Sequence, residues 1–246
     1  MSFESYTDCV FRAFDLHQKQ LDIIKRKKEI LDEVSRFHNF APTSILFVGF
    51  SPAILAATSK DIFVTRISKE SRNLLDSYNV KYLYISDDNL LAYHKKFDVV
   101  VALDEYFTYA ESDNQQRDMV SEICNLAKEY VITTCKDYKN QEFKDREFSV
   151  PALVRGNKNN NIYLEFHDYD LQDRNNWISM IYEIKNDVLN KVGPFLRRTM
   201  YFKQLAKFSH DAGAVGFSVH KNSMYKSLIK KNYEHVISIR FDNNGS

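Results

Sequence analysis

Two pairs of adjacent acids, Asp87-Asp88 and Asp104-Glu105, each follow an apolar run and are well suited to receive hydrogen bonds from a ligand. An acid at the carboxyl end of a buried strand points into the space where ligands of open α/β sheets bind. Tyr106 and Phe107, next to the second pair, could flank a ligand or pack beneath the following helix. Gly49-Phe50-Ser51-Pro52-Ala53 reads as a strand-to-helix turn in which Ser51 caps and Pro52 takes the first helical position. The free amides of such a helix start can hold a carboxylate. Ser68 has one hydroxyl to offer, either to a ligand or as the cap of the next helix.

Lys136, Asp137, Tyr138, Lys139 and Asn140 follow a further apolar run and combine cation, acid, phenol and amide. The set suits a polar substrate and equally a solvent loop. Arg197, Arg198, Tyr201 and Lys203 form a basic cluster with an interleaved aromatic. On one helix Arg197 and Tyr201 would share a face, fitting a phosphate or a stacked base, or simply a solvated surface. The seven histidines show no metal-ligand spacing, although His167 stands among Glu165, Asp168 and Asp170. Cys9, Cys124 and Cys135 are odd in number and read as reduced thiols of an intracellular protein. No metal site is expected. There is no Ser-His-Asp motif, phosphate loop or kinase signature either, and no catalytic residue is assigned.

The elements that would position these groups alternate. Apolar helical spacing from Ser5 to Phe37, ended by Ala41-Pro42, makes residues 1–40 a helical extension that could meet the domain or a protein partner. Strands are predicted at Ile45 to Val48, Ile62 to Ile67, Val80 to Ile85, Phe97 to Leu103 and Tyr130 to Thr134. Helices are predicted at Lys69 to Tyr78 and Gln115 to Lys128. Unbroken apolar strands separated by helices imply a parallel sheet covered on both faces, so Ile45 to about Asn140 reads as the nucleotide-binding half of a doubly wound domain. Further on, Ile162 to Phe166 is strand-like, and Asp173 to Asn190 reads as a helix carrying Trp177, Ile181 and Ile184 until Gly193-Pro194. A second helix, Leu196 to Ala212, ends at Gly213, and Val215 to Val219 with His235 to Phe241 close the domain, which spans residues 41–246.

Charge is balanced, 34 Lys plus Arg against 33 Asp plus Glu, so no long-range field draws in nucleic acid or an anionic membrane. A polynucleotide would have to be held locally, through Arg197 and its neighbours. The absence of an apolar leader at Met1 to Tyr6 and of any run near the roughly 20 apolar residues of a membrane span points to the cytoplasm. Glycine is scarce, 6 residues where average usage gives about 17. The 15 tyrosines and many asparagines suit an AT-rich genome, such as that of a virus, in which case the host cytoplasm is the expected location.

The order of elements, with Ile45-Leu46-Phe47-Val48-Gly49 and the acidic ending of Phe97-Asp98-Val99-Val100-Val101-Ala102-Leu103-Asp104-Glu105, resembles the Rossmann-like S-adenosylmethionine-dependent methyltransferases. The resemblance runs from about Ile45 to Phe241. It implies a mostly parallel sheet of about seven strands closed by an antiparallel hairpin. It also implies S-adenosylmethionine held by Gly49, Phe50, Ser51, Ser68, Asp87, Asp88, Asp104 and Glu105. The acceptor, not identified, would meet Tyr106, Lys136, Asp137, Tyr138, Asn140, Arg197 and Tyr201. Thr65-Arg66-Ile67-Ser68 stands where that family carries an acid for the ribose hydroxyls, and one glycine stands in its glycine-rich loop. The alternative is a catalytically inactive protein of the same fold, of viral or phage origin, serving in interaction or assembly.

Overall fold

A computed structural model describes residues 20–39, 41–57, 61–139, 146–148, 152–155, 160–169, 173, 175–185, 187–226 and 233–242. Helix α1, Gln20–His38, comes first; the earlier part of the predicted extension lies outside the described residues. Then come β1, Ser44–Val48, a 3-10 turn at Pro52–Ala56, β2, Asp61–Thr65, α2, Lys69–Ser77, and β3, Leu83–Tyr84. A second 3-10 turn, Asp87–Tyr93, leads to β4, Phe97–Ala102, and a third, Tyr106–Thr108, to α3, Asp113–Leu126, and β5, Ala127–Cys135. Five strands follow: β6, Arg146–Phe148, β7, Ala152–Arg155, β8, Asn160–Tyr169, β9, Asn176–Lys185, and β10, Val188–Arg198. Helix α4, Phe202–Asp211, and the strands β11, Gly216–Lys226, and β12, Tyr233–Arg240, end the fold.

The main sheet has seven strands in the order β11-β12-β5-β4-β1-β2-β3. β1 to β5 run parallel, and β12 lies antiparallel to both β5 and β11. The expected sheet with its closing hairpin is therefore present. Burial explains the unbroken apolar runs: Ile45 and Phe47 enter a core with Val34 of α1, Ile54 and Leu75, whereas Leu46 and Val48 enter another with Val120 and Ile123 of α3 and Leu205 of α4. Residues 45–48 of β1 all meet hydrophobic cover because both faces of this strand are packed. The chain leaves β1 toward β2 on one side and returns as β4 on the other, which puts the topological switch point between β1 and β4.

Near the start of β4 is Asp98, whose Oδ2 accepts from the Thr43 amide (2.8 Å), the Thr43 hydroxyl (2.6 Å) and the Ser44 amide (3.0 Å). Burial alone would raise this carboxyl, but the hydrogen bonds outweigh burial and hold it below the usual carboxylate range.

Two helix expectations are overturned. Residues Asp173 to Asn190 form no helix: β9 and β10 occupy the region, within a separate five-stranded antiparallel sheet inserted between β5 and α4. Trp177, Ser179 and Ile181 are buried while Ile178 is exposed, which is the period of two of a strand with one covered face. Likewise Leu196 to Arg198 end β10, and the last helix starts only at Phe202. Arg197 and Tyr201 thus share no helical face.

The end of α1 is tied to the far side of the main sheet by two imidazoles on one hydroxyl. Ser238 Oγ of β12 lies 2.7 Å from His38 Nε2 and 2.8 Å from His220 Nε2, and the His38 ring packs 4.4 Å from that of Tyr130. Burial, followed by the charges of His220 and Arg240, lowers the His38 pKa from its ordinary 6.5. A base with a depressed folded value contributes stability that is full above the unfolded value and is lost as pH falls through the folded one. The melting temperature should therefore fall as pH drops from about 7 to about 5, and His38→Gln should flatten that fall. Superimposable pH profiles for the two proteins would show that His38 does not anchor α1 in this way.

Candidate functional site

Three strand ends at or beside the switch point leave their strands through left-handed backbone: Gly49 after β1 (φ 76), Arg66 after β2 (φ 54), and Asp104 and Glu105 near the end of β4 (φ 58 and 55). At the first, the Gly49 amide donates to the Thr65 carbonyl (2.9 Å) and Ser51 Oγ accepts from the Ala53 amide (3.3 Å). Ser51 thus caps the turn that begins with Pro52, as its sequence suggests. Phe50 and Ser51 are both buried.

At the second end Arg66 fills the position where an acid was expected. Its Nε donates to Asp87 Oδ1 (3.0 Å), its Nη2 reaches both Glu122 oxygens (2.8 and 3.0 Å), and its guanidinium lies 5.7 Å from the Tyr106 ring centre. The Thr65 hydroxyl also approaches Asp87 Oδ1, at 3.5 Å. Asp87 makes these contacts through Oδ1, so Oδ2 can receive a donor from a ligand. Asp88 is exposed. Ser68 Oγ accepts from the Ser71 amide (3.1 Å) and caps α2.

The third end builds a different environment. Glu105 is buried, and its amide donates to Thr134 Oγ1 (3.1 Å) while its carbonyl accepts from the Thr108 hydroxyl (2.8 Å). Its Oε1 accepts a short hydrogen bond from the Tyr138 hydroxyl. Its Oε2 faces Lys136 Nζ at 3.4 Å and Arg197 Nη2 at 4.0 Å. Arg197 comes from β10 of the inserted sheet, donates through Nε to Thr108 Oγ1 (2.7 Å), and stacks 3.6 Å over Tyr109 and 4.7 Å from Trp177. Burial first, then the charge of Glu105, raises the Tyr138 pKa well above that of an ordinary phenol, so Tyr138 keeps its proton and donates.

The structure thus divides the residues singled out in the sequence. Gly49, Phe50, Ser51, Ser68 and Asp87 sit at the ends of β1 to β3, and Tyr106 packs near Arg66. Glu105 joins Lys136, Tyr138 and Arg197 instead. Tyr201 stands beside this group, its ring 6.4 Å from that of Tyr138. Asp137 is half-buried, and Asn140 lies outside the described residues. Sequence reasoning missed Arg66, Thr108, Tyr109 and Glu122 as parts of the site. Arg66 alone left a trace, as a cation where a strand-end acid was expected.

A buried carboxylate facing two cations is costly to remove. Glu105→Gln should destabilise the protein by on the order of 3–5 kcal/mol, because it leaves buried cations without their counter-ion. Tyr138→Phe should cost about 2 kcal/mol, one hydrogen bond to a charged group. Urea unfolding measures both, and a Glu105→Gln cost no larger than that of Tyr138→Phe would contradict the ionic role given to Glu105.

No protein-family model matches the chain, and no curated protein matches it in sequence. Solved structures do match in fold. Streptomyces venezuelae DesVI superposes with a TM-score of 0.71 at 13% identity, over 96% of this chain and 98% of that one. The sugar N-methyltransferase KedS8 from a Streptoalloteichus species gives 0.66 at 11% identity, over 89% and 87%. An S-adenosylmethionine-dependent methyltransferase from Clostridium acetobutylicum gives 0.65 at 14% identity, over 88% and 91%. The chain has the fold of the Rossmann-like S-adenosylmethionine-dependent methyltransferases.

Proposed function

We propose that this protein binds S-adenosylmethionine and is methyltransferase-like, with the cofactor in the crevice outside β1 to β4 and the acceptor toward the inserted sheet. The observation that carries the reading is the switch point itself. The strand order reverses there, Gly49 makes a left-handed turn beside a helical N-terminus, and Asp87 presents a half-used carboxylate two strands away, after β3. The fold shared with proteins named as methyltransferases supports it.

The residues present fit such a ligand. At Gly49 the backbone can approach closely because no Cβ intervenes. Ser68, whose hydroxyl caps α2 as an acceptor, stands just past the end of β2, where a ribose would lie. Asp87 Oδ2 would accept from the adenine amino group. Arg66 would act as a positioning residue, since it fixes the other oxygen of Asp87 and is itself held by both oxygens of Glu122. Asp104 would stand at the end of β4 between cofactor and acceptor. When bound, S-adenosylmethionine supplies an electrophilic methyl group, and what the chain must add is alignment of the acceptor and exclusion of water.

Titration calorimetry with S-adenosylhomocysteine is the test. Saturable binding is expected, weakened about tenfold or more by Asp87→Ala, which removes a charged acceptor. Arg66→Ala should weaken it only about threefold, as for a half-exposed ion pair. One observation favours the second reading, a fold kept for interaction or assembly without the cofactor: Arg66 stands where the ribose acid would be. A flat titration up to millimolar ligand would select that reading and remove the first.

A further inference from the structure

The inserted sheet turns one face toward the carboxyl ends of β4 and β5; Ile181 and Phe195 on that face join a hydrophobic core, and buried polar groups lie beside them. Register sets its residues in rows across three strands: Tyr169, Trp177 and Arg197 in one, His167, Ser179 and Phe195 in the next. All six are buried.

Two of them are unusual. Trp177 is 2% exposed and Ser179 0%, yet neither Trp177 Nε1 nor Ser179 Oγ has a hydrogen-bond partner among the described residues. They lie two residues apart on the same face of β9. Buried polar groups of native proteins are almost always paired, and those that are not call for a bound water, ion or ligand. The surroundings say which kind of ligand. Lys136 Nζ lies 5.2 Å from the Trp177 ring and the Arg197 guanidinium 4.7 Å from it. Indole N–H, ammonium and guanidinium are donors that cannot accept, and a serine hydroxyl can add another donor. A ligand that satisfies such a set is rich in acceptors, and an oxyanion is richest.

We propose that this inter-sheet space binds the oxyanion of a small molecule, a carboxylate or a phosphate ester, received by Trp177 Nε1 and Ser179 Oγ with Lys136 and Arg197 supplying positive charge. The assignment of that molecule as the methyl acceptor rests on the function proposed above; the anion site itself does not. Glu105 faces both cations and holds them in place, and Thr108 Oγ1 accepts from Arg197 Nε.

Trp177 is the only tryptophan in the chain, so its fluorescence reports on this site alone. Inorganic phosphate and acetate are titrated in separate arms at constant ionic strength against chloride, each with and without saturating S-adenosylhomocysteine. A saturable change in Trp177 emission is expected in one arm, with a Kd of about 1–10 mM for so small a fragment. The responding arm identifies the source of the oxyanion. Ser179→Ala should weaken the response about three- to tenfold, and Trp177→Phe should reduce the matching anion-induced rise in melting temperature. No saturable response to either anion overturns the proposal and leaves ordered water as the occupant; so does a response unchanged in Ser179→Ala. If S-adenosylhomocysteine binds while neither anion does, only this inference fails. If an anion binds while S-adenosylhomocysteine does not, the anion site stands and the cofactor reading falls.

Discussion

A carboxylate removed from water must be matched by positive charge and by hydrogen bonds, and for Glu105 part of that match comes from the inserted sheet, whose Ile181 and Phe195 also join a hydrophobic core. Desolvating an ion costs several kcal/mol even after the protein relaxes. Glu105 meets that cost with Lys136 and Tyr138 from the segment after β5 and with Arg197 from β10. Arg197 is fixed a second time by Thr108, whose hydroxyl donates to the carbonyl of Glu105 itself. The chain of contacts from β10 to the end of β4 closes on one residue. The inward face of β9, with Trp177 and Ser179, thereby lies toward the carboxyl ends of β4 and β5.

The two ends of the candidate site differ in dielectric as well as in composition. Around Arg66 the ion pairs are partly wet: the side chains of Arg66, Glu122 and Asp87 are 18%, 29% and 58% exposed. Pairs of that kind are weak and adjustable, which would suit contacts exchanged with a ligand. Around Glu105 the ionic side chains are almost fully enclosed, and each interaction is stronger because no water screens it. An acceptor admitted to that side would be selected by whether its charges fit.

How much of this could be read from the sequence depended on periodicity. β1, β4 and β5 are covered on both faces and stand out as unbroken apolar runs, so the parallel sheet and its order of elements were legible. β9 was not. Its inward residues Trp177 and Ile181 are four apart, a spacing that belongs to a helical face and, being even, also to one face of a strand. Exposed Ile178 and half-buried Met180 and Ile184 on the other face hid the alternation. The same ambiguity placed Arg197 and Tyr201 on one helix. The ties of Arg66 to Glu122 and of Arg197 to Glu105 cross 56 and 92 residues of sequence and follow from the fold alone, so they left no local pattern to find.

The scarcity of glycine has a counterpart in the backbone. Arg66, Asp104 and Glu105 adopt left-handed conformations that cost an L-residue about 1–2 kcal/mol each. Strain of this size persists only where the surroundings over-determine the geometry. Arg66 is pinned by two carboxylates, and Glu105 by a phenol and two cations. Side-chain ties therefore sustain at two strand ends the turns that glycine makes without strain, as Gly49 does at the first. The ionic groups and the backbone shape at these strand ends are thus coupled: loosening Arg66 or Glu105 would release a strained strand end, and a ligand that competed for these side chains would act on that shape as well.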